Sequence, residues 1–165
     1  MKKSSLIVAV LLIAMFAVFA MGSGEDTTVD QGNGNVSANG GESGNIGDYS
    51  VTIDSCRLAK DYEGKPVVIV KYTFKNVSGD EATAFFTTFN DNVYQNGVGL
   101  NEAYVLNSSA NYSADNQTKE IKKGASLEVE VAYELNDTTT DIEVEVEELF
   151  SFDDTKITKT FSIAN

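Results

Sequence analysis

The chain has 165 residues, 42% of them hydrophobic, and its 25 Asp and Glu outweigh 12 Lys and Arg for a formal net charge of -13. A surface so charged is repelled by phosphate and by anionic headgroups, which argues against nucleic acid and against peripheral membrane binding. Histidine is absent and there is one cysteine, so Ser-His and Cys-His dyads, paired CxxC motifs and the commonest metal ligand are all excluded.

The chain opens with Lys2 and Lys3, runs through sixteen unbroken apolar residues from Leu6 to Met21, and continues into small residues. This is the layout of a secretory signal peptide over residues 1–20, with Val18 and Ala20 placed for cleavage before Met21 and a second cut available after Gly22. The run is shorter than the ~20 residues of a spanning helix, and an uncleaved anchor is the alternative. Ser23 stands where a lipid-anchored bacterial protein would carry a cysteine. Cleavage would remove two lysines and no acid, leaving a net charge of -15.

From Met21 to Asp48, "MGSGEDTTVDQGNGNVSANGGESGNIGD" holds eight of the thirteen glycines and no aromatic or basic residue. Such a stretch buries too little apolar surface to offset the entropy of ordering it, so residues 21–47 read as a flexible tether with a reach of ~25 to 30 Å.

Residues 48–165 have the composition of one folded domain, and the period is two almost throughout. In "YSVTIDS" Tyr49, Val51 and Ile53 alternate with polar residues. In "PVVIVKYTFKN" the inward set is Val68, Val70, Tyr72 and Phe74. In "SLEVEVAYEL" Leu127, Val129, Val131, Tyr133 and Leu135 face Glu128, Glu130, Ala132 and Glu134 across the strand. In "DIEVEVE" Ile142, Val144 and Val146 alternate with glutamates, and Ile157, Phe161 and Ile163 mark a last strand. These are half-buried antiparallel strands. Asn96-Gly97 in "VYQNGVGL" tolerates the positive φ of a type I′ turn and predicts a tight hairpin. Val105 to Thr118, polar and rich in asparagine, reads as a long loop. Seven or eight short strands with frequent turns and no helical period predict an all-β, immunoglobulin-like antiparallel sandwich.

"AKDYEGKPVVIVKYTFKNVS", "VYQNGVGLNEA" and "IKKGASLEVEVAYELND", in that order behind a leader and a Gly-rich tether, resemble an uncharacterised domain family of Gram-positive surface lipoproteins, domain-of-unknown-function-5067-like. Its members are grouped with telokin-like and immunoprotective-extracellular-antigen-like β-sandwiches. The resemblance implies a fold and an extracellular or cell-envelope location. It implies no activity, cofactor or site residue, and Ser23 departs from the lipidated pattern.

Enzymatic parts are missing: no G-x-S-x-G, no phosphate-cradling glycine loop, and carboxylates that alternate along strands as a solvated face would. No catalytic residue and no cofactor is expected, and a carboxylate-dependent hydrolase is the distant alternative. Cys56 reads as a small buried residue, with an intermolecular disulfide as its alternative. If the strands around "NDTTT" paired as a hairpin, Glu134 would face Glu143 and Glu130 would face Glu147. Either the two strands belong to different sheets, the favoured reading, or a Ca²⁺ ion sits between the rows. The expected function is a noncatalytic, exported binding module for an unknown protein or cell-wall glycan; a structural or regulatory accessory of an envelope complex is the alternative. Membrane contact is expected only through a retained N-terminal segment. Phe85, Phe86 and Phe89 are expected mostly in the core, whereas Tyr104 and Tyr112, flanking the long loop, are the candidate exposed ligand-binding side chains.

Overall fold

A computed structural model describes residues 42–106, 111–151 and 155–164; the expected signal peptide and most of the expected tether lie outside these. Among the described residues the chain forms β1 (Glu42–Ile46), β2 (Tyr49–Lys60), β3 (Pro66–Asn76), the single turn α1 (Phe85–Thr88), β4 (Phe89–Gln95), β5 (Val98–Gly99), a 3₁₀ turn at Ala114–Thr118, β6 (Ser126–Glu134), β7 (Ile142–Glu148) and β8 (Lys156–Phe161). They assemble into two four-stranded antiparallel sheets, β1-β2-β3-β6 and β5-β4-β7-β8. The chain is an all-β sandwich of immunoglobulin-like type.

The expected alternation builds the space between the sheets. Val51, Ile53, Val68, Val70, Tyr72 and Phe74 from the first sheet meet Val93, Ile142, Val144, Val146 and Phe161 from the second in one buried cluster. Phe85 and Phe89, set by α1, close one end of it, with ring centroids 5.6 Å apart and Phe74 5.6 Å from Phe89. Phe86 alone of the three points to solvent.

β1 occupies residues that composition assigned to the tether. It pairs with β2 from Glu42↔Ile53 to Ile46↔Tyr49, and Ile46 is fully buried. A glycine-rich edge strand lacks an apolar signature, yet its backbone ladder and one isoleucine suffice when a sheet is already present to dock on. Gly44 fits because β8 passes close by: a Cβ there would come within 3.0 Å of Ile157 Cδ1. The Asn96-Gly97 turn has φ of 52° and 73°, the doubly positive pair of a type I′ hairpin, and it joins β4 to β5.

A bulge at Asp54, between the pairs Ile53↔Tyr72 and Ser55↔Lys71, shifts the phase of β2 so that Cys56 turns inward. Burial pushes the Cys56 thiol up to about 12. Two carbonyls at this bulge, those of Ile53 and Asp54, accept hydrogen bonds of 2.9 and 3.0 Å from Lys159 Nζ. Lys159 is buried between Ile157 and Phe161 on β8, an inward-pointing charge on an edge strand of the kind that discourages edge-to-edge pairing. Its amine also lies 4.7 Å from the centre of the Phe161 ring.

Candidate ligand-binding groove

β3 departs from alternation at its start, where Val67, Val68, Ile69 and Val70 are all fully buried. Val68 and Val70 belong to the inter-sheet core, whereas Val67 and Ile69 form a second cluster with Ala132, Val105 and Tyr112. The outer face of the first sheet is therefore covered around Val67, Ile69 and Ala132. Its cover is a strap formed by residues 100–106 and 111–118, between β5 and β6, where the sequence predicted a loop from Val105 to Thr118.

The strap is pinned along the outer edge of β6. Asn101 O accepts from Glu134 N at 2.9 Å, and Ala103 N donates to Ala132 O at 2.8 Å. Further on, side chains of the 3₁₀ turn take over: Gln117 Nε2 donates to Glu130 O at 2.7 Å and Asn116 Nδ2 to Glu128 O at 2.8 Å. One outward backbone group on each of the alternate residues Glu128, Glu130, Ala132 and Glu134 of this edge strand is satisfied in this way, which blunts a template for sheet extension. Gln117 Nε2 also donates to Tyr112 Oη at 3.1 Å, and Arg57 of β2 holds Glu130 with both guanidinium nitrogens while donating to Asn111 O at 3.3 Å. Asn111 itself sits at φ 47°, in the left-handed region.

Between the two limbs of the strap runs a groove of about 530 Å³, lined by Ala103, Tyr104, Ala114, Tyr112, Glu102 and Asp115 among others. Tyr104 stands 71% exposed on its rim and meets Tyr62, 60% exposed, edge to face at 6.0 Å between ring centres. Tyr62 is held up by the β2–β3 turn. There Asp61 Oδ1 accepts from Glu63 N and Lys65 N, both at 2.8 Å, and Gly64 supplies φ 83°. Two large rings in solvent, each mounted on a hydrogen-bonded turn or strap, are presented to something other than the core.

Of the candidate residues, Tyr104 lies where expected. Tyr112 does not: it is 6% exposed, inside the second cluster, because Val67, Ile69 and Ala132 need a cover. It forms the floor of the groove and not its rim, and burial is the main reason its phenol is pushed above the ordinary value. The four glutamates are not brought together. Glu130 and Glu134 lie on β6 in the first sheet, and Glu143 and Glu147 on β7 in the second, so the hairpin that would oppose them is not formed. Glu130 is engaged by Arg57, Glu147 accepts from Asn90 Nδ2 at 2.9 Å, and the neighbouring Glu128 pairs with Lys71 at 2.7 Å. No group of three or more Cys, Asp or Glu able to hold a metal occurs among the described residues.

Among the described residues two carboxyls are strongly shifted: the backbone N–H groups of Thr139 and Thr140 hold Asp137 down at about 2, and Asp91, between the sheets, moves the other way. Asp91 of β4 accepts from the Tyr133 hydroxyl, which spans the two sheets, and Tyr72 joins the same buried group. Burial pushes Asp91 up to about 6, and nearby Glu102 pushes it in the same direction. Asp91 does not line the groove, so it is a structural polar contact between sheets.

A two-sheet antiparallel sandwich with a strapped outer face and a solvent-facing aromatic corner belongs to the class of small immunoglobulin-like β-sandwich domains. Residues 27–148 match a family described as a domain of unknown function (DUF5067), and the chain belongs to that family. Among solved structures, a candidate lipoprotein (ycdA) from Bacillus subtilis subsp. subtilis str. 168 is similar with TM-score 0.57 and 14% identity, over 76% of this chain and 39% of that one. A candidate lipoprotein from Staphylococcus aureus subsp. aureus NCTC 8325 is similar with TM-score 0.53 and 18% identity, over 75% of this chain and 94% of that one. At such identities the likeness is one of fold, and the chain spans only about two fifths of the Bacillus protein. No curated protein matches the sequence.

Proposed function

We propose that the protein is an exported, noncatalytic binding module of the cell envelope, and that the aromatic-rimmed groove on the strapped face is its ligand surface. The carrying observation is the exposed pair Tyr62–Tyr104 beside that groove, on backbone held by the Asp61 turn and by the strap's bonds to β6. Export is supported by the leader-like Lys2 to Met21 segment and by the description of the two structural neighbours as lipoproteins. Noncatalytic character is supported by the lack of histidine and by the position of Asp91, the carboxyl that burial pushes up, between the sheets and away from the groove.

Retention of the purified domain on envelope extract tests this reading. Wild-type protein is expected to be retained, and Tyr62→Ser/Tyr104→Ser to lose retention at an unchanged melting temperature. Equal retention of both would remove the groove as the ligand surface. A stoichiometric protein partner held independently of these tyrosines would favour the accessory role.

A further inference from the structure

We infer that the groove takes a cationic ligand, a lysine-bearing peptide segment whose ammonium group sits between Glu102 and Asp115; this rests on the groove being the ligand surface.

Both carboxylates line the groove, both residues are exposed, and no Lys or Arg lines it among the described residues. Among the described residues neither is engaged in a salt bridge, in contrast to five acids elsewhere that hold a lysine or arginine within 4 Å. The nearest guanidinium, Arg57, is committed to Glu130 and to the strap backbone at Asn111. Glu102 lines the groove together with Tyr112, its floor, and its charge adds to the upward push on that phenol. Ala103 and Ala114, both only partly buried, leave a shallow apolar strip on which the methylene stem of a lysine would lie. Tyr104 offers a ring face, and aromatic faces attract ammonium groups. Carboxylates, small apolar residues and an aromatic rim together match a basic side chain better than a neutral one. The net charge of -13 would draw a basic segment toward the domain from a distance.

The test is calorimetric titration with penta-lysine and with its fully Nε-acetylated counterpart, in about 50 mM salt so that screening is weak. The variants are Glu102→Gln/Asp115→Asn, and Glu143→Gln/Glu147→Gln on the opposite sheet, which removes the same net charge elsewhere. Penta-lysine is expected to bind saturably and the acetylated peptide at least tenfold more weakly. Loss of the groove carboxylates should weaken penta-lysine about fivefold or more, as two exposed ion pairs imply, and loss of Glu143 and Glu147 less than twofold. Equal weakening by the two variants would reduce the effect to bulk charge and overturn the inference, as would no binding of penta-lysine. Acetylated peptide bound as tightly as penta-lysine, or a neutral glycan retained through Tyr104 instead, would overturn the cationic assignment while leaving the groove as the ligand surface. Failure of the tyrosine variants to alter envelope retention would instead strike the groove itself.

Discussion

The two outer faces of this sandwich are built from the same alternating strands and end up with different fates. On the second sheet Glu143, Glu147 and Thr160 stand in water, with Lys156 bridging to Glu145 at 2.9 Å. On the first sheet Val67, Ile69 and Ala132 interrupt the polar row, and a strap carrying Val105 and Tyr112 lies over them. Three apolar substitutions in an otherwise wet face are enough to recruit a cover, and the cover creates a groove that a bare sheet lacks.

The largest effect should come from removing the anchor of that cover. Ile69→Ala is expected to cost about 3 kcal/mol in denaturant unfolding, the usual range for a buried large-to-small change, whereas Thr160→Ala on the other face should stay within about 0.5 kcal/mol. Comparable small costs at both sites would mean that the strap contributes nothing to stability.

A second effect of similar size is set by pH. Asp91 faces Tyr133 from β6, Tyr72 from β3 and Glu102 from the strap, and its carboxyl is raised from 3.8 to about 6. Between these values the folded chain holds a proton that the unfolded chain has released, so the stability it contributes is fully present below pH 3.8 and is lost as pH rises through 6. The loss amounts to up to about 3 kcal/mol. Unfolding free energies of wild type and Asp91→Asn, measured at pH 4 and pH 7, should differ by that trend; parallel profiles would show that Asp91 titrates normally.

Gln117→Ala removes one bond to Tyr112 and one to Glu130 O, and is expected to cost about 1 to 2 kcal/mol and to speed amide exchange in residues 111–118. The smallest effect concerns Cys56. With its thiol pushed up to about 12, it should react with thiol reagents only after unfolding, and rapid labelling of the native protein would place it outside the core.

Much of this was legible in the sequence. Alternation identified β2, β3, β6, β7 and β8, and Asn96-Gly97 identified its hairpin. The glutamate rows of β6 and β7 were correctly suspected of lying on different sheets, since like charges do not face each other across a ladder. The strapped face was legible too but overlooked: "VVIV" fails to alternate, and Ala132 stands where Glu128, Glu130 and Glu134 set the rule, both signs of burial on two sides. β1 left no trace because its stability comes from a partner strand. Lys159 was passed over because its solvation is replaced by two carbonyls over a hundred residues away. Tyr62 lies within "AKDYEGKPVVIVKYTFKNVS", a stretch that carries the family resemblance, yet only folding brings it against Tyr104.

Amide hydrogen exchange of the domain with and without envelope material would test most directly whether the strapped face is the functional one. Protection gained at residues 61–64 and 101–106, with none at 142–147 or 156–161, is the result expected. Protection confined to the second sheet would contradict it.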